Sequence, residues 1–348
     1  MVTVKKQGVI LTKTNHEFEN EGVLNPAVIA ENGKIHMFYR AVRMGNHSTI
    51  GYCRLSNPVT VEERYDFPVL VPEESYDCQG VEDPRIVKID DTYYLSYTAY
   101  DGYQAMGALA ISKDLKHFEK KGLIVPEVNY KDFREWVNAS GNVTSKYFRF
   151  DQCSMILWDK NVIFFPRRIN GKLAYLHRIR PGIQLVMIDS IDDLNTAFWK
   201  DYLQNFASNI LLDPKATHET SYIGGGCPPI ETEYGWLLIY HSVRDTIDGF
   251  IYVASAALLD IDDPRKEIAR LPYPLFEPEH NWEQEGYINN VCFPTGTVIE
   301  DDELYIYYGA ADEQIACASV SLQELLTELL QHTNETNIHS TNVNETAI

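Results

Sequence analysis

Charged residues surround a pair of alternating apolar segments between residues 80 and 102. The first segment follows the run GVEDPR at residues 80–85, and the second ends in Tyr100, Asp101 and Gly102. The alternation and the acidic turn between the segments predict a hairpin, which brings its two outer ends to one edge of a sheet. Carboxylates and an arginine gathered there without a metal-binding motif favour carboxylate acid–base chemistry, of which glycoside cleavage is the leading case.

The same kind of segment, a polar turn followed by an alternating aromatic and aliphatic strand, occurs five times along the chain. The closing aromatic residues are Tyr39, Tyr97, Phe165, Tyr240 and Tyr308. About a dozen residues before each strand comes a second signal: Asn25-Pro26, Asp83-Pro84, Asp151-Gln152, Pro228-Pro229 and Phe293-Pro294. This repetition predicts an all-β fold, a five-bladed β-propeller, with a β-sandwich or a two-domain β protein as the alternative.

We predict a single propeller domain over residues 1–332, with blades at approximately 20–75, 76–145, 146–215, 216–280 and 281–320. Residues 321–332 predict a short C-terminal helix, because Ser321 is followed by helical periodicity and an early acidic residue. The Asn- and Thr-rich residues 333–348 predict a disordered tail. Residues 130–150 are a candidate loop over the mouth of the axis.

In a propeller, the innermost strands begin at the axial cavity and the second strands end beside it. The starts would be Asn25, Asp83, Asp151, Pro229 and Phe293. The ends would be Arg40, Thr98, Arg167, His241 and Gly309, with Arg43, Asp101 and Asp312 just beyond them. Acids and bases from distant parts of the chain would therefore meet in one pocket.

The composition limits the partners and the compartment. A formal net charge of −20 argues against a nucleic-acid or anionic-membrane partner. The six cysteines are scattered without a C-x-x-C pair, which suits neither a zinc site nor a disulfide framework, so we expect no metal and reduced thiols. The N-terminus lacks the apolar segment of a signal peptide, and we expect a cytoplasmic protein.

The ordered set of motifs resembles glycoside hydrolase family 130. The matching stretches are residues 80–85, 97–102, 165–172, 176–178, 224–230 and 235–241. The resemblance implies a five-bladed propeller that phosphorolyses or hydrolyses β-mannosides with inversion and without a cofactor. It also implies that Asp101 is the general acid, acting through a mannose hydroxyl, although an Asp-Gly turn residue is the alternative. The implied substrate-binding residues are Asn25, Arg40, Arg43, Glu82, Asp83, Arg85, Tyr100 and Asp312, with a buried ion pair as the alternative for Asp83 and Arg85.

Phosphorylases of this family resemble one another in four cationic positions, two Arg, a Lys and a His. Here the candidates for the nucleophile side are Lys160, Arg167, Arg178, Tyr222 and His241. Lys160 stands where the first arginine would be, which loses a bidentate fork. Tyr222 stands where the lysine would be and carries no charge. We therefore expect an inverting, exo-acting β-1,2-mannosidase that uses water, with Glu219 as a candidate general base and Glu283 and Glu285 in reserve.

Two alternatives to this expectation stay open. The first is a β-mannoside phosphorylase that acts on β-1,2-mannobiose or mannooligosaccharides, takes inorganic phosphate as co-substrate and releases mannose 1-phosphate. The second is a non-catalytic propeller that binds glycans. In every case the expected partner is a mannose-containing oligosaccharide, and a homo-oligomer is left open.

Overall fold

The computed structural model describes residues 2–138, 143–149 and 155–333. Within these ranges the chain forms 21 β-strands and five short α-helices, so the predicted all-β fold class is confirmed. No helix of the described residues is long and apolar enough to cross a membrane.

The strands form antiparallel groups that follow one another along the chain, after an N-terminal strand β1 (Lys5–Leu11). The first group contains β2 (Gly22–Glu31), β3 (Lys34–Arg43), β4 (His47–Asn57) and β5 (Thr60–Arg64). The second contains β6 (Gly80–Ile89), β7 (Thr92–Tyr100), β8 (Ala105–Ser112) and β9 (Glu119–Leu123). One parallel bridge, between Ser48 and Gly80, joins these two groups.

Three further groups complete the described strands. The third contains β10 (Lys160–Phe164), β11 (Leu173–Arg178), β12 (Ile183–Ile188) and β13 (Ile210–Leu212). The fourth contains β14 (Tyr222–Gly225), β15 (Ile230–Thr232), β16 (Gly235–Thr246), β17 (Gly249–Leu259) and β18 (Glu267–Arg270). The fifth contains β19 (Cys292–Glu300), β20 (Glu303–Ala310) and β21 (Gln314–Ser321), and β1 adds a fourth strand by pairing with β21.

The first strands of the groups contact one another in sequence. Strand β2 contacts β6, β6 contacts β10, and β10 contacts β14; β19 contacts β16 and β17 of the fourth group and also β2 of the first. The series of contacts therefore closes on itself. Apolar side chains between adjacent groups form the core, as where Phe38 and Ile50 of the first group meet Leu95 and Ala108 of the second.

A β-bulge interrupts the first strand in four of the five groups. The pairing register skips Asn25 and Pro26 in β2, Asp83 and Pro84 in β6, Asn161 and Val162 in β10, and Thr295 in β19. Asn25, Asp83 and Asn161 have φ values of 50°, 48° and 59°, in the left-handed region that Asn and Asp tolerate best among non-glycine residues. A bulge re-aims its side chain out of the regular ladder, and these side chains can thus serve a site.

The third and fourth groups differ from the predicted strand order. Lys160–Phe164 was predicted as part of a second strand but is the first strand of its group, and Leu173–Arg178 is the second. Arg167 therefore follows a first strand, and the predicted start at Asp151 lies outside the described residues. In the fourth group, the strand that carries the site begins at Tyr222 instead of Pro229.

The helices are α1 (Tyr130–Asn138), α2 (Thr196–Gln204), α3 (Phe206–Asn209), α4 (Asn281–Gln284) and α5 (Leu322–Leu330). The predicted C-terminal helix is present as α5, and the Ser321 hydroxyl accepts a hydrogen bond from Glu324 N at 3.1 Å. The predicted loop at 130–150 instead contains α1, whose Phe133 and Val137 are buried in one core cluster with residues of α2. Residues 334–348 of the predicted tail lie outside the described residues.

Candidate active site

A cavity of about 180 Å³ lies where the bulged first strands meet. All five strand groups or the loops attached to them contribute to its lining: Asn25, Arg40, Asp83, Lys160, Arg178, Arg180, Tyr222, Tyr252, Ile288, Val291, Phe293 and Asp312. We call this space the axial cavity. Residues far apart in sequence thus reach one small volume, as predicted.

One side of the axial cavity is acidic and is held together by Arg40. The Asn25 amide donates from Nδ2 to Asp83 Oδ1 at 2.7 Å, and Arg40 Nη1 lies 3.6 Å from the same oxygen. Arg40 also donates from Nη2 to Glu82 Oε1 at 2.7 Å and from Nε to Ser48 Oγ at 2.9 Å. Glu82 therefore fixes Arg40, and Arg40 with Asn25 fixes one oxygen of Asp83.

The carboxyl groups on this acidic side differ in their affinity for protons. Burial raises the pKa of Asp312 to about 6. The positive charge of Arg40 lowers this pKa, and the negative charge of Asp83 raises it. Burial acts in the same direction on Asp83, but Arg40 and Lys160 hold the pKa of Asp83 below its ordinary value. Near neutral pH, an ionised Asp83 thus lies on the same side of the cavity as a carboxyl group, Asp312, that binds a proton more readily.

The other side of the axial cavity is basic. Lys160 and Arg178 are cross-strand partners on β10 and β11. Arg178 Nη1 lies 3.2 Å from His241 Nε2, and the guanidinium carbons of Arg178 and Arg180 lie 5.1 and 4.3 Å from the centre of the Tyr222 ring. Three cations and a histidine therefore surround one end of the cavity.

These basic groups depress one another's proton affinity. Burial, and then Arg180, lowers the pKa of Arg178 to about 10. Burial also lowers the pKa of Lys160, with Arg178 adding to the effect and Asp83 opposing it. Burial and the charge of Arg178 hold the pKa of His241 well below its ordinary value. An anion placed among these groups would relieve this repulsion.

Several buried polar atoms around the axial cavity have no hydrogen-bond partner among the described residues. They are Asn25 Oδ1, Arg85 Nη2, Asn161 Nδ2 and Oδ1, Arg178 Nε and His241 Nδ1. A buried polar group without a partner costs about 1–3 kcal/mol, so these atoms are available for hydrogen bonds to water or to a polar ligand. Most of these atoms are donors, and they fit a polar, anion-containing ligand.

Comparison with known proteins decides the family. A family model for glycoside hydrolase family 130, described as beta-1,4-mannooligosaccharide phosphorylase, matches residues 6–331. The chain belongs to glycoside hydrolase family 130. The resemblance drawn from the sequence motifs is confirmed.

Two curated relatives from this family cover nearly the whole chain. A 1,2-beta-oligomannan phosphorylase from Thermoanaerobacter sp. (strain X514) is 36% identical over 91% of this chain and 96% of that protein. A beta-1,2-mannobiose phosphorylase from Listeria innocua serovar 6a is 29% identical over 93% of this chain and 78% of that protein.

Solved structures of family 130 proteins share the fold. The beta-1,2-mannobiose phosphorylase from Listeria innocua, in complex with beta-1,2-mannobiose, has a TM-score of 0.72 at 24% identity and covers 94% of this chain and 99% of that chain. A second structure was reported with the finding that the GH130 family of mannoside phosphorylases contains glycoside hydrolases that target beta-1,2 mannosidic linkages in Candida mannan. It has a TM-score of 0.70 at 22% identity and covers 92% of this chain and 94% of that chain.

The structure does not bring Asp101 to the axial cavity. Asp101 Oδ1 accepts hydrogen bonds from Tyr103 N at 2.8 Å and from Gln104 N at 2.7 Å, in the turn after β7. The alternative interpretation as a turn residue therefore describes its contacts. Tyr100, the last residue of β7, also contacts this turn, because its hydroxyl donates to Gly102 O at 2.9 Å. The carboxylate that this part of the chain delivers to the cavity is Asp83.

Glu219 is fully buried and already bonded, so it cannot serve as a general base in the axial cavity. Its Oε1 accepts from the Tyr240 hydroxyl at 2.7 Å, and its Oε2 accepts from Lys215 N at 2.7 Å. Arg270 Nη1 lies 3.3 Å from Oε2 and compensates its charge. These contacts make Glu219 a structural residue of the fourth group.

Two predicted arginines also lie outside the axial cavity. Arg167 forms a surface ion pair with Glu231 at 2.7 Å, because it follows the first strand of its group instead of the second. Arg43 lies beyond the cavity on the exposed end of β3, 3.2 Å from Glu17.

Arg85 is buried and supports the cavity from behind. It donates from Nη1 to the backbone oxygen of Asp83 at 2.8 Å and from Nε to Gly226 O.

Sequence reasoning missed Arg180, Tyr252 and Asn161. Alternate residues of an extended chain lie on the same face. Arg180 follows Arg178 by two positions, and this spacing could have predicted that both reach the cavity. Tyr252 and Tyr222 both pair with Val243 of β16, and their hydroxyl oxygens lie 2.6 Å apart. No comparable sequence signal marked Tyr252 or Asn161.

Proposed function

We propose that this family 130 protein is an inverting β-mannoside phosphorylase. It would remove the terminal mannosyl unit of a β-1,2-linked mannobiose or mannooligosaccharide and release α-mannose 1-phosphate. The fold we infer for it is the five-bladed propeller, supported by the five strand groups and the closed series of contacts between them. The family model and the phosphorylase relatives support the activity.

The observation that carries this proposal is the basic side of the axial cavity. Lys160 keeps a positive charge at its position, and Arg180 lies against Tyr222, the residue whose lack of charge argued for water as the nucleophile. The expected loss of a cation is therefore made good by a neighbour in space. A dianionic phosphate among Lys160, Arg178 and Arg180 would also accept from Arg178 Nε, which has no partner among the described residues.

The described lining of the axial cavity offers hydrolysis no carboxylate base on the basic side. Among the described residues that line the axial cavity, the carboxylates are Asp83 and Asp312, both on the side of Arg40. An inverting hydrolase requires a carboxylate on the opposite side to activate water. Glu219, the candidate for that role, is committed to Tyr240 and Arg270.

The reaction follows from the two sides of the cavity. The terminal mannosyl unit lies on the acidic side, where Asn25, Arg40, Asp83 and Asp312 contact its hydroxyls. A phosphate oxygen attacks C1 from the basic side; the C1–O bond to the leaving sugar breaks, and its electron pair stays on the leaving oxygen. That oxygen receives a proton from Asp83, through a mannose hydroxyl as the family resemblance implies. Attack from the opposite face converts the β-mannoside to an α-phosphate.

We assign the general-acid role to Asp83 because the charges on both sides of the cavity, Arg40 and Lys160, influence its pKa. Arg40 and Lys160 lower the pKa of Asp83. A dianionic phosphate beside Lys160 would oppose the effect of Lys160 and shift the pKa of Asp83 upward, in the direction that a general acid needs.

The test is incubation with β-1,2-mannobiose in the presence and absence of inorganic phosphate, with analysis of both products. We expect cleavage to require phosphate and to yield mannose 1-phosphate in a 1:1 ratio with mannose. Release of two mannose molecules without phosphate would establish the hydrolase instead. If the wild type binds mannobiose without any turnover and Asp83→Asn binds it equally well, the protein is a non-catalytic glycan binder.

A further inference from the structure

Three buried polar side chains bond to one another next to the basic side of the axial cavity. Both carboxylate oxygens of Asp159 lie close to His177 Nδ1, at 2.9 and 2.7 Å, so this nitrogen donates to the carboxylate. On the other side of the ring, His177 Nε2 lies 2.7 Å from the hydroxyl oxygen of Tyr202. We call these three side chains the Asp159 cluster. None of the three is among the residues that line the axial cavity.

Two members of the Asp159 cluster come immediately before a cation of the basic side. Asp159 precedes Lys160, and His177 precedes Arg178. Lys160 and Arg178 pair across β10 and β11, and neighbouring residues of a strand point to opposite faces. The bond between Asp159 and His177 therefore joins the same two strands at the same point, from the face opposite to the cations.

The backbone ladder is interrupted at this point, because it lies at the end of β10 next to a β-bulge. Beyond the pair of Lys160 and Arg178, the register skips Asn161 and Val162 and resumes at Ile163. A bulge leaves its extra residue unpaired and disrupts the ladder locally. The side-chain bond of the Asp159 cluster thus supplies a second connection between the two strands where the ladder is weakest.

Contacts at both ends anchor the Asp159 cluster to neighbouring elements. The backbone oxygen of Asp159 accepts from Gly107 N of β8 at 2.8 Å, which ties the cluster to the second group. At the other end, the Tyr202 hydroxyl of α2 donates to Leu185 O of β12 at 3.0 Å. Helix α2 is thereby connected to the strand that carries Arg178.

The position of the Asp159 carboxylate indicates what its burial achieves. Asp159 and His177 are both fully buried, and a buried carboxylate is costly unless it is paired and hydrogen-bonded. Asp159 is paired with His177, and its charge also acts on the basic side. Burial and Arg180 lower the pKa of Arg178, whereas the negative charge of Asp159 raises it. Asp159 therefore helps to keep a positive charge at the place proposed for phosphate.

We propose that Asp159, His177 and Tyr202 are positioning residues for the phosphate nucleophile. They hold Lys160 and Arg178 in the arrangement that binds the phosphate dianion, and they act through these two cations without touching phosphate. This inference rests on the proposed phosphorylase function and extends it to residues outside the cavity. Its consequence is selective, because loss of the cluster should weaken phosphate binding and leave the mannoside on the acidic side bound as before.

The test compares two substitutions that each remove one buried hydroxyl. Tyr202→Phe breaks the bond to His177, whereas Tyr175→Phe, the matched control, removes a hydroxyl that donates to Ile124 O at 2.7 Å. Tyr175 and Tyr202 belong to the same core cluster. Initial velocities are measured against inorganic phosphate at saturating β-1,2-mannobiose, and against mannobiose at saturating phosphate. We expect Tyr202→Phe to raise the KM for phosphate about 3- to 10-fold and to change the KM for mannobiose less than about twofold, while Tyr175→Phe changes neither.

Asp159→Asn is the second variant, because it keeps the size of the side chain and removes its charge. We expect its KM for phosphate to rise about tenfold or more, since the charge that supports Arg178 is lost. The free energy of unfolding in urea is measured for every variant, and we expect similar losses in Tyr202→Phe and Tyr175→Phe. A rise in the phosphate KM of Tyr202→Phe alone then reports positioning and not a general loss of stability. Should Asp159→Asn fail to fold, the comparison of Tyr202→Phe with Tyr175→Phe decides.

The outcomes separate this inference from the proposed function. If the wild type cleaves mannobiose without phosphate, the proposed function fails and the inference falls with it. If the wild type requires phosphate but Tyr202→Phe and Asp159→Asn keep the phosphate KM of Tyr175→Phe, the cluster is only structural and the inference is overturned. An equal rise in the KM values for phosphate and mannobiose would also overturn it, because it would indicate a general disturbance of the cavity.

Discussion

Replacement of Arg180 by glutamine should weaken phosphate binding selectively. Arg180 lines the basic side of the axial cavity and lies against the Tyr222 ring, where the sequence alone indicated a missing charge. A unit charge about 4 Å from another contributes about 4 kcal/mol at an effective dielectric constant of about 20. Measured hydrogen bonds to charged groups are worth about 1.5–3 kcal/mol.

The smaller range is the better estimate for Arg180→Gln, because Arg178 would partly compensate. Arg180 lowers the pKa of Arg178, so its removal strengthens the charged form of Arg178. We therefore expect the KM for phosphate to rise about 10- to 150-fold. The KM for mannobiose should change by less than about twofold, because the acidic side is untouched.

The assay is initial velocity against phosphate concentration at saturating mannobiose, and the reverse titration at saturating phosphate. Arg180→Lys, which retains the charge without the planar fork, should fall between the wild type and Arg180→Gln. Arg167→Gln is the matched control, because Arg167 pairs with Glu231 on the surface. A KM for phosphate that is the same in Arg180→Gln and Arg167→Gln would refute the assignment of Arg180 to the anion site.

Two further substitutions test how the cavity is built. Gly309→Ala should reduce kcat at least about tenfold, because the new Cβ would overlap Asn25 Oδ1 and displace the Asn25 amide from Asp83. In the double variant Gly309→Ala, Asn25→Ala, the two losses of kcat should not add. Additive losses would contradict this coupling. His241→Gln should make the free energy of unfolding less dependent on pH. Burial keeps the pKa of His241 well below 6.5 in the folded protein. Below about pH 6.5 the unfolded chain therefore binds a proton that the folded chain does not, and the stability of the wild type falls. Without phosphate, the free energy of unfolding should drop less between about pH 7.5 and about pH 5.5 in the variant than in the wild type, and an equal drop would show that His241 is not buried in its neutral form.

The sequence predicted the first-strand positions best where the backbone conformation restricts which residue types can occupy them. Asn25-Pro26 and Asp83-Pro84 were assigned to the start of an inner strand, and both pairs form bulges with a left-handed Asn or Asp. Few residue types tolerate that conformation, so the residue type itself carried the information. In the third group the long stretch before Lys160 breaks the period, and strand order could not be read from spacing.

Asp101 shows the limit of motif position as a guide to chemistry. Its place after a strand end and before Gly102 satisfied both a catalytic and a turn interpretation, and only the contacts to Tyr103 and Gln104 separate them. The same limit applies to Tyr222. The charge at that site is supplied by Arg180, a neighbour in space that lies beyond the end of β11, and pairwise spacing does not report such a replacement.

Repulsion among the buried basic groups of the axial cavity favours phosphate over water as the nucleophile of the proposed reaction. Burial and mutual repulsion lower the pKa values of Lys160, Arg178 and His241, and Arg178 Nε has no partner among the described residues. In the proposed reaction, phosphate would offset this repulsion when it binds and would oppose the effect of Lys160 on Asp83, which shifts the pKa of Asp83 upward. In the proposed reaction phosphate is therefore the nucleophile and also shifts Asp83 toward its protonated form, an effect that an uncharged water molecule does not have.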